Sequence, residues 1–502
     1  MLKTIFQRID SHYLYALIIC TVYAFLNFVD GRGGVAELQP LVLRFMDSGY
    51  LEYDFFVNSS DIYNARFYIV KYLSIFVHFF GIDYGMHIAG ILSFVTTLFF
   101  IYLIAFKITS SALTSFVVLL LSMIPRNMGI DLGEWYLVSN QIGAGQLVMP
   151  LILSSLYFIL SGKNIVALIV LAPLSYLHPL LGLEMFALFV LYIVLYEKQA
   201  KIKAIVMLTF LLVVVSYMIE LSTISEMFYL DAISLKKILV EYRHPHHYLV
   251  FNNGFLGPAL FFTLLLIAWK IIQSYSHISI HFINIFLLIM IPLSVLSIIF
   301  IDYYPLRIAM TAIPFRLLSV IGYMIIILAF GMVVSRVLNL NSVNVSLLHL
   351  TSGYHYHLLI IVFIFSSIIA LVNIQHKRLL ILNNVISNII PIDINYISIV
   401  NFSKEIEKLT EEDSIIITSM SEIKHLSNRA TFEGAQFPFV DKYMHEWYER
   451  RKDLSLSVDD SGLSIIKERY SLNAPIYAII DLDRKSKFTS LYCDQALCLI
   501  KL

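Results

Sequence analysis

The feature that most constrains this chain is its return, over and over, to apolar stretches that no soluble core could absorb. A membrane-spanning helix needs roughly 17–25 apolar residues. Clear candidates are Tyr13–Val29, Ile88–Phe106, Leu180–Tyr196, Phe282–Ile301, Phe315–Val334 and Leu358–Val372. Shorter apolar cores lie at Ala112–Ile124, Leu147–Leu160, Ile165–Tyr176, Ala204–Met218 and Ala259–Ile272. Composition agrees: 59% of the 502 residues are hydrophobic, only 14% are charged, and mean hydropathy is +0.79. A soluble domain carries about 25% charged residues, so the bilayer must act as solvent here. With 35 basic and 35 acidic side chains, nothing attracts nucleic acid.

Loop charge orients the spans. Lys198, Lys201 and Lys203 make one loop strongly basic, and hence cytoplasmic. Counting back places Lys163, Lys107, Lys3 and Arg8 on that same side, provided that Phe67–Phe80 does not cross. Lys71 and His78 interrupt this run, and it reads as a juxtamembrane helix. The expectation is an all-α polytopic bundle of about eleven spans, with the N-terminus cytoplasmic and the C-terminus outside. Residues 1–375 form the bundle, including the external loop 30–87, and residues 376–502 form a small extracytoplasmic α/β domain. In that domain Ser403–Leu409 and Lys442–Arg451 read as helices, and Ser414–Thr418 and Ile476–Asp481 as strands. Cys493 and Cys498 fall there, as a disulfide or as two free thiols; Cys20 lies in the first helix as packing.

Concentrated polar groups gather on the external side. The first loop carries Asp30, Glu37, Asp47, Glu52, Asp54 and Asp61 among aromatic residues. A carboxylate at a low-dielectric boundary suits general-base work or cation binding. Such a loop must also be polar simply to be solvated. The glycines after Asp30 let the backbone turn as the helix leaves the bilayer. The second loop adds Arg126, Asp131 and Glu134, which either converge on the first loop or pair among themselves. His178 stands at a tight turn before Glu184, an acid inside an apolar helix and thus a candidate by default. The two either face each other or serve as a cap. Glu241-Tyr-Arg243-His244-Pro-His246-His247 fits no standard zinc spacing. It reads as a phosphate or sugar grip, or as an ordinary loop. Arg307 and Arg316 bracket the start of a span, where an arginine holds a diphosphate or snorkels to headgroups.

This order of parts resembles the GT-C superfamily of membrane glycosyltransferases, which includes oligosaccharyltransferase subunits, protein mannosyltransferases and aminoarabinose transferases. The resemblance rests on a first helix, a long acidic external loop, and then Asn64-Ala-Arg-Phe-Tyr-Ile-Val-Lys through Gly81 leading into His87-Ile-Ala-Gly. Glu37-Leu-Gln-Pro, Asp47-Ser-Gly-Tyr-Leu-Glu-Tyr-Asp54, Arg429-Ala-Thr-Phe-Glu-Gly and Glu446-Trp-Tyr-Glu-Arg450 are similar to a little-characterised bacterial branch of that group.

The resemblance implies transfer of a sugar from a polyprenyl-phosphate donor to a glycan, lipid or protein acceptor during cell-envelope synthesis. The family's catalytic acid maps to Glu37, with Asp30 and Asp54 as rivals, and a second acid maps to Asp131 or Glu134. Arg243, His244, His246, His247, Arg307, Arg316 and His178 are the candidate phosphate and substrate contacts. No adjacent pair of acids follows the first helix, which departs from the family pattern. No cofactor is implied, though a divalent cation on the loop acids stays open. A flippase of lipid-linked sugars, a polysaccharide polymerase and a non-catalytic assembly partner are the alternatives. A flippase would favour paired charges within spans and inverted repeats, and the chain shows no repeat.

Overall fold

A computed structural model describes residues 11–27, 34–124, 130, 132–133, 135–139, 141–222, 229–251, 254–276, 278, 280–339, 394–420, 422–433, 437–455, 459–470, 474–482, 487–494 and 496–502. The expected span Leu358–Val372 lies outside the described residues.

The chain is an integral membrane protein built mostly of helices. Six described helices are long and apolar enough to cross a bilayer: α5 (Tyr84–Thr109), α9 (Pro179–Tyr196), α10 (Ala200–Ser222), α13 (Leu256–Tyr275), α14 (His281–Asp302) and α16 (Phe315–Asn339). Shorter apolar helices accompany them: α1 (Ser11–Asn27), α4 (Phe67–Ile82), α6 (Ala112–Ser122), α7 (Ala144–Leu160) and α8 (Asn164–Leu177). Helix α16 is the hub, mostly buried and packed on α6, α13 and α14. It approaches α13 closely because Gly322 has no side chain; a Cβ there would sit 2.8 Å from the Phe261 ring. Helix α10 is at the other extreme, with nearly every apolar side chain outward. An apolar helix with an exposed apolar surface is what lipid contact requires.

Two local features shape the face that concerns function. The segment Phe67–Thr109 is helical throughout except at Gly81, where φ is 76° and ψ is 169°. A glycine alone adopts that backbone freely, so the segment breaks there into α4 and α5. The separate helix read from Phe67–Phe80 is therefore present, ending at the glycine. The first loop is more ordered than the sequence reading: Gly34–Met46 forms helix α2, and Asp54 caps the short α3 (Phe55–Asn58). Glu37 falls in the first turn of α2, where the helix dipole favours an acid.

The C-terminal part is a five-stranded sheet, ordered β2 (Ala430–Thr431), β1 (Ile415–Ile417), β3 (Ile476–Asp481), β5 (Leu497–Lys501), β4 (Thr489–Cys493). Strands β2, β1 and β3 are parallel, and β5 runs antiparallel to both β3 and β4. Alternation splits its core in two. Ile415, Ile417, Ala478 and Ile500 pack on one face with Leu463 and Ile466, and Ile416, Tyr477 and Leu499 pack on the other with Phe402 and Ile406. The helices involved are α17 (Ile394–Leu409), α19 (Asp441–Leu454) and α20 (Asp460–Arg469); the short α18 (Ile423–Ser427) completes the set. The two strands and two helices read from the sequence are all present. Cys493 and Cys498, opposed across β4 and β5, form a disulfide.

This domain is seated on the bundle rather than tethered beside it. Phe437, Met444 and Trp447 belong to the same buried cluster as the spanning helices. Two ionic joints reinforce the seat. Lys424 Nζ lies 2.8 Å from Asp54 Oδ1, with both side chains fully buried. Arg307 Nη2 lies 2.7 Å from Asp441 Oδ2.

Candidate functional site

Beneath this domain three arginines from distant parts of the chain gather in one buried, aromatic surround, called the recess below. Arg66 is the N-cap of α4. Its guanidinium pairs with Glu37 Oε1 and lies 4.0 Å over the Phe439 ring. Arg243 ends the π-helical turn Lys236–Arg243. It is held 5.9 Å from the Phe437 ring and 5.7 Å from Trp447, with Glu37, Arg66, Glu433 and Arg451 as its charged neighbours. Arg316 opens α16, 4.2 Å over Trp135 and 5.4 Å from the Tyr248 ring, and hydrogen-bonds to Tyr248. It interacts with Glu184 and with Arg66. Arg66 is thus common to both neighbourhoods, and the three cations form one cluster with Glu37 and Glu184.

Around them the recess is aromatic and poor in solvent. His178 caps α9 by accepting the Leu181 N–H at 3.5 Å. Burial, with Arg316 and Arg66 nearby, pushes its imidazole down to about 3. A neutral ring is what lets a ring nitrogen accept that bond. His247 has a ring nitrogen 2.9 Å from the Gly133 carbonyl and packs 5.3 Å from Trp135. His244 packs on His247 and on Phe437, at 5.2 and 5.9 Å. Neither carboxylate oxygen of Glu184 has a hydrogen-bond partner among the described residues, and the same holds for Nε of Arg66, Arg243 and Arg316. Buried polar atoms left this way cost roughly 1–3 kcal/mol each. The recess therefore keeps unused hydrogen-bonding groups of both kinds, donors on the arginines and acceptors on Glu184.

The sequence candidates separate into three groups. Glu37, Arg243, Arg316, His178, His244 and His247 come together around the recess. Asp54 and Arg307 do not. Asp54 accepts from Val57 N, Thr431 N and Thr431 Oγ1 besides pairing with Lys424, so its lone pairs are committed. Arg307 is consumed by Asp441 and the Leu230 carbonyl. Both pair with residues of the C-terminal domain, Lys424 and Asp441, instead of facing the other candidates. Asp30, Asp131 and Glu134 lie outside the described residues, as do Arg126 and the side chain of His246.

Arg66 is not marked out by the sequence. A lone cation before an apolar helix looks like an ordinary cap, and its partners Glu37 and Phe439 are remote in sequence. Phe437, Phe439 and Trp447 lie in the stretches similar to the bacterial branch, Arg429 to Phe439 and Glu446 to Arg450, but nothing in the sequence set them against the arginines. Among the described residues no cluster of three His, Cys, Asp or Glu side chains gathers to hold a metal ion.

Against known proteins the chain matches no family model and no curated protein sequence. A crystal structure of ArnT from Cupriavidus metallidurans in the apo state aligns over 97% of this chain and 97% of that chain, at 9% identity and a TM-score of 0.51. The chain shares that fold. The same ArnT bound to undecaprenyl phosphate aligns over 98% and 97%, at 9% identity and a TM-score of 0.49. The helical membrane bundle with a small C-terminal sheet, expected from the sequence, is thus the architecture found.

Proposed function

We propose that the chain is a glycosyltransferase moving a sugar from a polyprenyl-phosphate carrier to a glycan, lipid or protein acceptor. It would act on the extracytoplasmic side of a bacterial inner membrane. The observation that carries this reading is the cluster of Arg66, Arg243 and Arg316 beside Glu37 at the mouth of a membrane bundle. Guanidinium forks match phosphate oxygens, and they act most strongly where water is excluded. The fold shared with ArnT fits the reading. The Cys493–Cys498 disulfide suits an oxidising compartment for the C-terminal domain.

The chemistry follows from the Glu37–Arg66 pair. A donor phosphate entering the recess competes with Glu37 for Arg66 and releases the carboxylate. Glu37 then takes the proton of the acceptor hydroxyl as its oxygen bonds to the anomeric carbon. The bond from that carbon to the phosphate oxygen breaks, and its electron pair leaves with the lipid phosphate. The arginines hold the charge that develops there, stabilising the transition state more than the ground state.

The test uses the purified full chain with radiolabelled polyprenyl-phosphate sugars and a panel of acceptors. Glu37→Gln should lower transfer by about 10²–10⁴-fold, while the fold stays intact by circular dichroism. Transfer that survives Glu37→Gln removes this base from the mechanism. Movement of intact carrier across a bilayer without transfer would make the chain a flippase instead.

A further inference from the structure

Where the span α14 ends, the chain stays apolar but does not become buried. Tyr303, Tyr304, Leu306 and Ile308 follow in close order, and a second segment adds Tyr229 and Ile233. All six are exposed, from 44% at Leu306 to 75% at Ile308. The two segments hold the short helices α11 (Ala232–Leu235) and α15 (Arg307–Ala312). Hydrogen bonds tie them together. Lys236 Nζ donates to the Asp302 carbonyl at 2.7 Å, and Arg307 Nη2 donates to the Leu230 carbonyl. Each of the six lies within three residues of one of these ties, so they form one patch. Single exposed apolar side chains are ordinary, whereas a contiguous set marks an interaction surface.

Depth and continuity say what covers it. Helix α14 has 22 residues. At 1.5 Å per residue it is about 33 Å long, against a hydrocarbon core of about 30 Å. Tyr303 and Tyr304 follow its last residue and so fall at the boundary, the level at which tyrosine is enriched in spanning proteins. Leu288, Val295 and Ile299 are exposed along one face of α14, and Tyr303 extends that face by one more turn. The patch is thus the continuation of a surface that meets lipid. The charged groups within it are turned to the protein. Asp231 caps α11 by accepting the Ser234 N–H at 2.7 Å, Lys236 reaches Asp302, and Arg307 pairs with Asp441. What is left to face outward is apolar or tyrosine.

We propose that this patch is immersed in the bilayer interface, with lipid headgroups and the upper acyl chains as its partner. Helices α11 and α15 then lie in the leaflet on the side of the C-terminal domain instead of standing in water. Arg307 sits within the patch and holds Asp441 of that domain. Anchoring the patch therefore also fixes the level of the domain at the membrane surface.

Spin-label accessibility in nanodiscs of phosphatidylethanolamine and phosphatidylglycerol tests the placement. Cys20 is buried and Cys493 is bonded to Cys498, so a nitroxide attaches at a cysteine introduced on the surface. The full chain is labelled at Ile233→Cys, Ile308→Cys and, as control, Ile465→Cys. Ile465 is also an exposed isoleucine, at 49%, but on α20 of the C-terminal domain. Oxygen concentrates in the bilayer and a neutral nickel chelate stays in water. The ratio of oxygen to nickel collisions should be severalfold higher at positions 233 and 308 than at 465. Nickel collisions at 233 and 308 equal to those at 465 would put the patch in water and overturn the proposal. Shielding of 233 and 308 from both reagents would overturn it too, because protein and not lipid would then cover the patch. The readout needs no glycosyl transfer, so it stands or falls apart from the enzyme reading.

Discussion

Asp54 and Glu37 are acids seventeen residues apart, equal in composition and in loop, yet the molecule uses them differently. Asp54 is sealed with Lys424, and both side chains are fully buried. Breaking a buried pair from one side leaves an uncompensated charge, at a cost of about 3–5 kcal/mol. Lys424→Met should therefore destabilise the chain by about that amount in a urea titration followed by tryptophan fluorescence. Adding Asp54→Asn should recover part of the loss, because it removes the unpaired charge and keeps an acceptor for the Val57 and Thr431 N–H groups. Glu37 pairs with Arg66 at the edge of the recess and interacts with Arg243 as well. Arg66→Lys keeps the charge but loses the planar fork, and it should cut kcat/KM for transfer by about tenfold. Nothing local in the sequence separates these two acids. What separates them is the partner, 370 positions away for Asp54 and 29 for Glu37.

Elements were legible to the degree that they obey a period. The long apolar helices and the strand Ile476–Asp481 stand out because burial on both sides leaves unbroken apolar runs. Helix α2 did not, because Pro40 interrupts it and its acid and glycines resemble loop. The strands β4 and β5 were hidden by their shortness and, for β4, by exposure. Helix α18 offers an element-scale prediction. It buries His425, whose Nδ1 has no partner among the described residues, and burial pushes that imidazole down to about 4. The unfolded ring titrates near 6.5, so between these values the unfolded state holds more protons than the folded one. Stability is then complete above about pH 6.5 and falls as pH drops toward 4. Protection factors of the β1–β3 amides, which are corrected for the slower intrinsic exchange in acid, should fall over that window, and His425→Gln should flatten the dependence.

At the scale of the whole molecule, the recess is shared property. The bundle supplies Arg66, Arg243 and Arg316, and the C-terminal domain supplies the rings on which two of them rest. This is the least legible part of the chain, since nothing in the sequence ties Phe437, Phe439 and Trp447 to arginines more than a hundred positions away. They are the underside of a lid already seated, fastened at Asp54–Lys424 and Arg307–Asp441. A guanidinium over an aromatic face is worth about 0.5–2 kcal/mol, more when water is excluded. Phe439→Ala releases Arg66 from its ring while leaving the ion pair to Glu37 in place. Transfer should then show a KM for the lipid donor raised roughly two- to thirtyfold, with kcat changed less. The reason is that the ring orders the arginine before the phosphate arrives, which is binding held in common by ground and transition states. Phe439→Leu, equally apolar but without a π face, should resemble Phe439→Ala if ring electrostatics hold the arginine. If Leu instead restores the wild-type KM, packing alone positions Arg66. A control at Phe488, which packs on the domain's own sheet core and not in the cluster that holds Phe437 and Trp447, should leave both constants unchanged. Measured together, these variants decide whether the C-terminal domain takes part in binding the donor or merely covers it.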